Sequence, residues 1–238
     1  MPSYTQPASL VPAHEPARLR TLYRYEILNT TPEPIFDDFV ALAAQLFKLP
    51  ISLISLVDQD TVFFKANAGL PGLVAVPRAD SLCSAAVLEH TPIAFPDLQQ
   101  ERCDLVNPAV AEAAGLRCYA GAPLRMTDGL NIGTMCVIGR EPRDFTEAES
   151  ALLLRLAELV SRTIELRARL LGFSPDAWEQ AQRELQAYLH ESSTLARYLV
   201  ARTDGTFLAD DVLQTVHRRL DFIDKALGRL LASEDGYS

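Results

Sequence analysis

The chain changes from one hydrophobic pattern to another near Pro50. Before it, apolar residues recur at helical spacing over 15–28 and 33–48, which predicts two amphipathic helices. After it, short apolar runs rich in β-branched residues predict strands at 51–57, 61–66, 92–95, 117–125 and 130–138. A short helix is expected at 80–90. Asp128-Gly129, between the last two runs, is typical of a hairpin turn.

The remainder of the chain is predicted to be helical. Thr146 followed by Glu149 has the spacing of a capping box, which indicates the start of a long helix that ends near Leu171. Its apolar residues follow a heptad pattern, which is typical of a seam between helices: Leu152, Leu156, Leu159, Thr163, Leu166 and Leu170. Two further amphipathic helices follow, and a turn at 203–205 would fold them into an antiparallel hairpin.

This order of elements predicts an α+β fold, a central antiparallel sheet with helices packed on one face, followed by the two-helix hairpin. We expect three segments. Residues 1–14 contain Pro2, Pro7 and Pro12 and would form a flexible tail. Residues 15–171 would form the main domain, and residues 172–238 the C-terminal helical hairpin.

Composition and charge narrow the possible partners. The 238 residues include 22 Lys and Arg against 31 Asp and Glu, a net charge of −9 with no basic cluster. This argues against nucleic acid or an anionic membrane surface as a partner. No apolar run approaches the roughly 20 residues that span a bilayer, and the first 14 residues do not resemble a secretory signal. A cytoplasmic location is therefore expected, with the cysteines as thiols.

A series of short motifs gives the chain a family resemblance over about residues 18–171. The strongest are Tyr119-Ala120-Gly121-Ala122-Pro123-Leu124, Asp128-Gly129, Ile132-Gly133-Thr134 and Cys136-Val137-Ile138. With these motifs the chain resembles the GAF domain family. The resemblance implies a ligand pocket on the sheet face opposite the long helices, under the short helix and the loops. The family binds cyclic nucleotides, bilins, haem or small metabolites, so the fold does not choose the ligand.

The sequence departs from the family pattern at four positions. Cys103 and Cys118 stand where the family usually has an aromatic residue. Gly139 replaces a usual Asp, and Thr61 replaces a frequent Arg. The resemblance therefore does not carry a cofactor over to this chain, and the cofactor stays unknown.

We expect the pocket to be formed by Phe64, Cys83, Asp97, Cys103, Cys118 and Tyr119. Cys118 and Tyr119 are neighbours on one predicted strand, so only one of them can face the ligand. Two cysteines in place of aromatics would enlarge the cavity and favour a planar or apolar ligand over a compact phosphate. Three arginines near the pocket could donate hydrogen bonds to a bound anion: Arg78, Arg102 and Arg117. A solvated surface charge is nevertheless the commoner role of an arginine.

The four cysteines, Cys83, Cys103, Cys118 and Cys136, contain no Cys-x-x-Cys pair. Their favoured role is that of small buried apolar residues. Two alternatives stay open: four thiolates that hold a metal or iron–sulfur cluster, and a thiol redox enzyme. The GAF family includes a reductase for free methionine sulfoxide, but its wider motif is missing here. An enzymatic activity is not expected, and no catalytic residue is assigned.

His190 is the centre of a second, weaker resemblance. The segment 187–195 shares a His-Glu pair and a following Thr with the phosphoacceptor box of histidine kinase dimerisation hairpins, but lacks the expected Pro. A degenerate phosphotransfer role for His190 is therefore an alternative to a surface histidine.

The sequence as a whole favours a non-enzymatic sensory module. Its pocket would bind a small molecule or sense redox state. Its helices would pass the change to a downstream signalling protein or across a coiled-coil homodimer. The predicted dimer interface consists of Leu152, Leu156, Leu159 and Leu166 together with the hairpin.

Overall fold

A computed structural model describes residues 9–101, 103–201 and 209–232 of the chain. Pro2, Pro7, Arg102 and the predicted turn at 203–205 lie outside the described residues. The helices are α1 (Glu15–Arg24), α2 (Pro34–Phe47), α3 (Cys83–Ala86), α4 (Pro108–Ala113), α5 (Glu147–Leu171), α6 (Pro175–Ala201) and α7 (Asp210–Ala232). The strands are β1 (Ile51–Val57), β2 (Thr61–Ala68), β3 (Ala75–Pro77), β4 (Ile93–Phe95), β5 (Cys118–Arg125) and β6 (Asn131–Gly139).

The strands form one antiparallel sheet in the order β3-β2-β1-β6-β5-β4. All residues of β1 and β6, the two central strands, are buried, because the sheet is covered on both faces. The predicted α+β fold with its antiparallel sheet is confirmed. The sequence analysis missed β3 and α4 because three and six residues are too few to show a period.

The helix predicted at 80–90 is shorter than expected. A 3₁₀ turn at Arg78–Asp80 precedes α3, which has only four residues. The reason lies just beyond it, where the Asn131 amide donates to the carbonyls of Val87 and Glu89 at 3.0 and 2.7 Å. These carbonyls bond to a side chain of β6 instead of continuing a helical ladder.

The sheet separates two layers of apolar residues. On one face lies a large core shared by the sheet with α1, α2, α5, α6 and α7. On the other face lies a smaller core shared with α3 and the loops around it. The long helices therefore occupy one face, as predicted, and the short α3 and α4 cover the opposite face.

The long helix α5 begins as predicted. Thr146 Oγ1 accepts a hydrogen bond from the Glu149 amide, and the Glu149 carboxylate accepts one from the Thr146 amide, both at 3.1 Å. Leu152, Leu156, Leu159 and Leu166 have no exposed surface, because α5 packs against β5, α7 and α6 of the same chain. The heptad seam is therefore part of the chain's own core, and the prediction that these leucines form a dimer interface is wrong. A homodimer through other surfaces stays a prediction.

The C-terminal helices lie against the main domain. Gln186 on α6 donates to the Asp38 carboxylate of α2 at 2.7 Å, and Gln45 donates to the Ser193 carbonyl at 3.2 Å. Helix α7 packs between α5 and α6. Helices α6 and α7 extend the helical layer that α2 and α5 begin. The domain boundary expected at residue 171 therefore stays a prediction. Within the described part of the chain, no helix is both long enough and apolar enough to cross a bilayer.

Candidate functional site

A cavity of about 120 Å³ lies between the sheet and the short helices α3 and α4. The sheet supplies the floor from five different strands, and α3, α4 and the adjoining loops supply the roof. The lining is almost entirely apolar: Leu53, Phe64, Leu70, Leu73, Val76, Asp80, Ser81, Leu82, Cys83, Leu98, Val106, Val110, Ala111, Ala114, Leu116, Tyr119 and Ile138. An enclosed apolar space with few polar groups is the usual form of a small-molecule site.

Three of the six residues predicted to form the pocket, Phe64, Cys83 and Tyr119, line this cavity. Cys103 is buried beside it and lines a smaller adjoining pocket of about 40 Å³. The two pockets share Leu98 and Val106 among other residues. The cavity thus brings together an aromatic pair and one thiol from the predicted set, with Cys103 nearby.

Cys118 lies on the opposite face of the sheet, in the core beneath the long helices. A Cβ at Gly139, its partner on β6, would lie 2.6 Å from Cys118 Sγ, so the space around this thiol is full. Burial raises the pKa of Cys118. The expectation that Cys118 enlarges the pocket is therefore wrong, because alternation along β5 turns Tyr119, and not Cys118, toward the cavity.

Asp97 does not line the cavity either. Its carboxylate accepts two hydrogen bonds from the Arg117 guanidinium, at 3.1 and 2.9 Å, and further bonds from Gln99 and Gln100. The hydrogen bond from Arg117 lowers the pKa of Asp97. These contacts give Asp97 and Arg117 a role in shaping the loop after β4. Arg78 is likewise engaged, with Glu15 and the Leu10 carbonyl, both at 2.5 Å.

Two buried thiols meet at the floor of the cavity. Cys83 Sγ on α3 lies 3.9 Å from Cys136 Sγ on β6, and the Tyr119 hydroxyl donates to Cys83 Sγ at 3.6 Å. Next to them, the Ser55 and Thr134 hydroxyls are 2.6 Å apart. Sequence analysis missed this pair, because 53 residues separate the two cysteines and only the fold brings α3 over β6. Alternation along β6 would at least have put Thr134 and Cys136 on one face.

Tyr119 reaches Cys83 because its ring lies across Gly121. A Cβ at Gly121 would come within 2.9 Å of two ring carbons of Tyr119. Gly121 pairs with Cys136 in the sheet, so the ring lies above the strand that carries the second thiol. The glycine in the motif Tyr119-Ala120-Gly121 therefore allows the tyrosine hydroxyl to reach the sulfur pair.

The four-cysteine cluster considered as an alternative is not assembled. Cys118 and the Cys83–Cys136 pair lie on opposite faces of the sheet. Over residues 9–101, 103–201 and 209–232, no three His, Cys, Asp or Glu side chains come together as a metal site. His190 lies far from the cavity, on the exposed side of α6, with Nε2 3.2 Å from Asp38 Oδ1. Its phosphotransfer role stays a prediction.

A second cluster missed by the sequence analysis lies on the helix side of the sheet. The Glu33 carboxylate accepts hydrogen bonds from Lys65 of β2 at 2.6 Å, Arg167 of α5 at 2.7 Å and the Trp178 indole of α6 at 2.8 Å. Lys65 stands at an irregularity in the sheet, where Ile54 pairs with Ala66 but Ser55 pairs with Phe64. This bulge directs Lys65 to the helix side while its neighbour Phe64 faces the cavity.

The sequence is similar to part of a known protein. A curated relative from Pseudomonas aeruginosa, a cyclic di-GMP phosphodiesterase, is 35% identical over 154 residues, which is 64% of this chain and 26% of the relative. The chain thus spans about a quarter of that protein's length.

Two solved GAF domains have similar folds. The GAF domain of an Acinetobacter phosphoenolpyruvate-protein phosphotransferase matches 66% of this chain and 97% of its own, with 22% identity and a TM-score of 0.47. The second GAF domain of DevS from Mycobacterium smegmatis matches 60% and 100%, with 19% identity and a TM-score of 0.48.

An antiparallel sheet with long helices on one face and a partly open, apolar cavity on the other is the architecture of a class of small α+β domains. The family model described as GAF domain matches residues 31–164. The chain belongs to the GAF domain family.

Proposed function

We propose that this protein is a sensory module whose cavity binds a small, neutral and largely apolar molecule. The observation that carries the proposal is the cavity of about 120 Å³ between the sheet and the short helices. Among the described residues, the lining contains no lysine, arginine or histidine, and its carboxylate, Asp80, accepts a hydrogen bond from Asn107 at 3.2 Å. A compact phosphate would lose its hydration there without gaining a cation, so an apolar or planar molecule fits better.

We propose further that strand β2 transmits occupancy of the cavity to the C-terminal helices. Phe64 lines the cavity, and the next residue, Lys65, donates to Glu33 on the other face of the sheet. The Glu33 carboxylate also accepts hydrogen bonds from Arg167 and Trp178, so one carboxylate joins β2 to α5 and α6. A ligand that moves β2 would change these contacts. The size of the shift between the two positions of β2 is limited by the difference in the ligand's affinity for them.

A cytoplasmic location, a homodimer and a downstream signalling partner complete the proposal. Each is a prediction that follows from the sensory role and from the composition of the chain.

A binding titration tests the cavity. Benzene is neutral, planar and apolar, and it is small enough for a cavity of this size; isothermal titration calorimetry measures its binding. We expect saturable binding to the whole chain and its loss in Ala111→Phe, because Ala111 lines the cavity from α4, a helix with no buried residue of its own. Ala113→Phe is the matched control, since Ala113 is exposed on the same helix.

Two results would overturn the cavity proposal. One is the absence of saturable binding to the unsubstituted protein. The other is equal binding by Ala111→Phe and Ala113→Phe, which would place the probe elsewhere on the molecule.

A further inference from the structure

The thiols of Cys83 and Cys136 are arranged as a pair. Their sulfurs are 3.9 Å apart, and both residues are almost completely buried, at 2% and 0% exposure. Cys83 comes from α3 and Cys136 from β6, so the pair connects the roof of the cavity to its floor. Closing a disulfide requires the sulfurs to approach from 3.9 Å to ~2.05 Å, so α3 and β6 must come closer by about 2 Å.

The surroundings of the two sulfurs make them unequal. The Cys136 thiol bonds to Cys83 Sγ and lowers the pKa of Cys83. Burial opposes this, but the hydroxyls of Ser55, Thr134 and Ser81 act in the same direction as Cys136. The same bond, together with burial, raises the pKa of Cys136. Since the thiolate is the nucleophile, Cys83 is the sulfur suited to attack and Cys136 the sulfur suited to resolve.

Cys83 also has the better access. It lines the cavity together with Tyr119 and Ser81, whereas Cys136 is not part of the lining. A molecule that enters the cavity therefore meets Cys83 first. Because the lining is apolar and lacks cationic side chains, a neutral oxidant enters at lower cost than a charged one.

We propose that Cys83 and Cys136 form a redox pair that an organic hydroperoxide oxidises to a disulfide within this cavity. In the first step, Cys83 Sγ attacks the terminal oxygen of the hydroperoxide. The O–O bond breaks, a sulfenic acid forms on Cys83, and the alkoxide leaves as an alcohol after it takes up a proton.

In the second step, Cys136 Sγ attacks the sulfur of the Cys83 sulfenic acid. The S–S bond forms, the S–O bond breaks, and the oxygen leaves as water with the proton of the Cys136 thiol. The sum is two thiols and one hydroperoxide to one disulfide, one alcohol and one water. The two electrons that reduce the hydroperoxide come from the two thiols.

The oxidised pair would have a structural consequence. A disulfide would link α3, on the roof of the cavity, covalently to the central strand β6. The inference uses the cavity of the proposed function as the path to Cys83. It adds a covalent modification that a reversibly bound ligand does not require.

The test uses the whole chain, reduced and then treated with one equivalent of tert-butyl hydroperoxide. After acid quench, denaturation and alkylation, mass spectrometry counts the thiols and maps the link. We expect two of the four thiols to be lost, with a Cys83–Cys136 disulfide that dithiothreitol reverses. In Cys136→Ser, a probe for sulfenic acids such as dimedone should label Cys83.

Cys118→Ser is the matched control, because Cys118 is a buried thiol on the opposite face of the same sheet. It should lose the same two thiols at the same rate as the unsubstituted chain, whereas Cys83→Ser should form no disulfide. Free methionine sulfoxide, a zwitterion, should oxidise the pair more slowly than the hydroperoxide.

The inference is overturned if the hydroperoxide gives no Cys83–Cys136 link, or if Cys136→Ser leaves Cys83 unlabelled. Equal or faster oxidation by methionine sulfoxide would show that the hydroperoxide class is wrong. These outcomes are separate from the fate of the cavity proposal. Binding of benzene without disulfide formation would refute only the thiol chemistry, and disulfide formation without benzene binding would refute only the reversible ligand.

Discussion

At the scale of single residues, Glu15 shows how a buried carboxylate is stabilised in its charged form. Its carboxylate accepts hydrogen bonds from Arg18 at 2.7 Å and from Arg78 at 2.5 Å. Burial raises the pKa of Glu15, but the two guanidinium groups outweigh it and lower the pKa from 4.5 to about 2. Through these bonds, the first turn of α1 is tied to the segment that leads into α3.

This cluster predicts an acid-sensitive part of the stability. The pKa of Glu15 in the folded state is below its value in the unfolded chain. Its contribution is therefore complete above about pH 4.5 and is lost as the pH falls toward 2, by up to about 3 kcal/mol. Urea unfolding at a series of pH values should show a shallower decline for Glu15→Gln than for the unsubstituted chain.

Glu191→Gln is the control for this series, because the Glu191 side chain is 65% exposed and its pair with Arg219 is a surface contact. It should follow the unsubstituted chain between pH 5 and 2. A parallel decline for Glu15→Gln and the unsubstituted chain would contradict the role given to the Glu15 cluster.

At the scale of elements, Glu33 joins three of them. It immediately precedes α2 and holds Lys65 of β2, Arg167 of α5 and Trp178 of α6. Burial lowers the pKa of Lys65, and the bond to Glu33 opposes that fall. The Lys65 ammonium also lies 5.5 Å from the centre of the Phe36 ring. Glu33 is therefore the counter-charge that allows a lysine to lie inside this fold.

Glu33→Gln should destabilise the protein by about 3 kcal/mol, because it leaves two buried cations without their carboxylate. The same change should alter the emission of Trp178, the single tryptophan of the chain, since its indole loses the charged acceptor. Both effects are measured in one urea titration followed by tryptophan fluorescence.

Glu179→Gln supplies the control. Glu179 is the neighbour of Trp178 on α6, and its side chain and that of its partner Arg183 are 64% and 67% exposed. Removal of that pair should change the stability by less than about 1 kcal/mol. Equal destabilisation by Glu179→Gln and Glu33→Gln would show that Glu33 does not join β2 to α5 and α6.

At the scale of the whole molecule, one apolar core runs from Leu22 of α1 to Leu227 of α7. Trp178 belongs to this core, with its indole bonded to Glu33 of the main domain. The C-terminal helices are thus in contact with the same buried residues that cover the sheet. A continuous core favours cooperative unfolding of all its members.

We therefore expect a single unfolding transition. Tryptophan fluorescence, which reports on α6, and far-ultraviolet circular dichroism, which reports on all helices and strands, should give the same urea midpoint. A fluorescence transition at lower urea than the circular dichroism transition would mean that the C-terminal hairpin leaves the domain first, as an independent unit.

Local patterns were sufficient to predict most elements of the fold. The strand at 51–57 and the capping box at Thr146 appear as predicted, because β-branched runs and cap residues act within a few positions of the chain. The cavity lies on the sheet face opposite the long helices, where the family resemblance predicts a pocket, and Phe64, Cys83 and Tyr119 line it. Ligand binding by these residues stays a prediction.

Contacts distant in sequence were decided only by the tertiary structure. The heptad of α5 is compatible with a dimer seam or with a core stripe, and only the packing of α5 against β5, α7 and α6 shows that it is core. A thiol pair separated by 53 residues and a carboxylate shared by β2, α5 and α6 leave no periodic trace. Sequence by itself determines which face of an element is apolar. Which elements cover that face depends on how the chain closes upon itself in space.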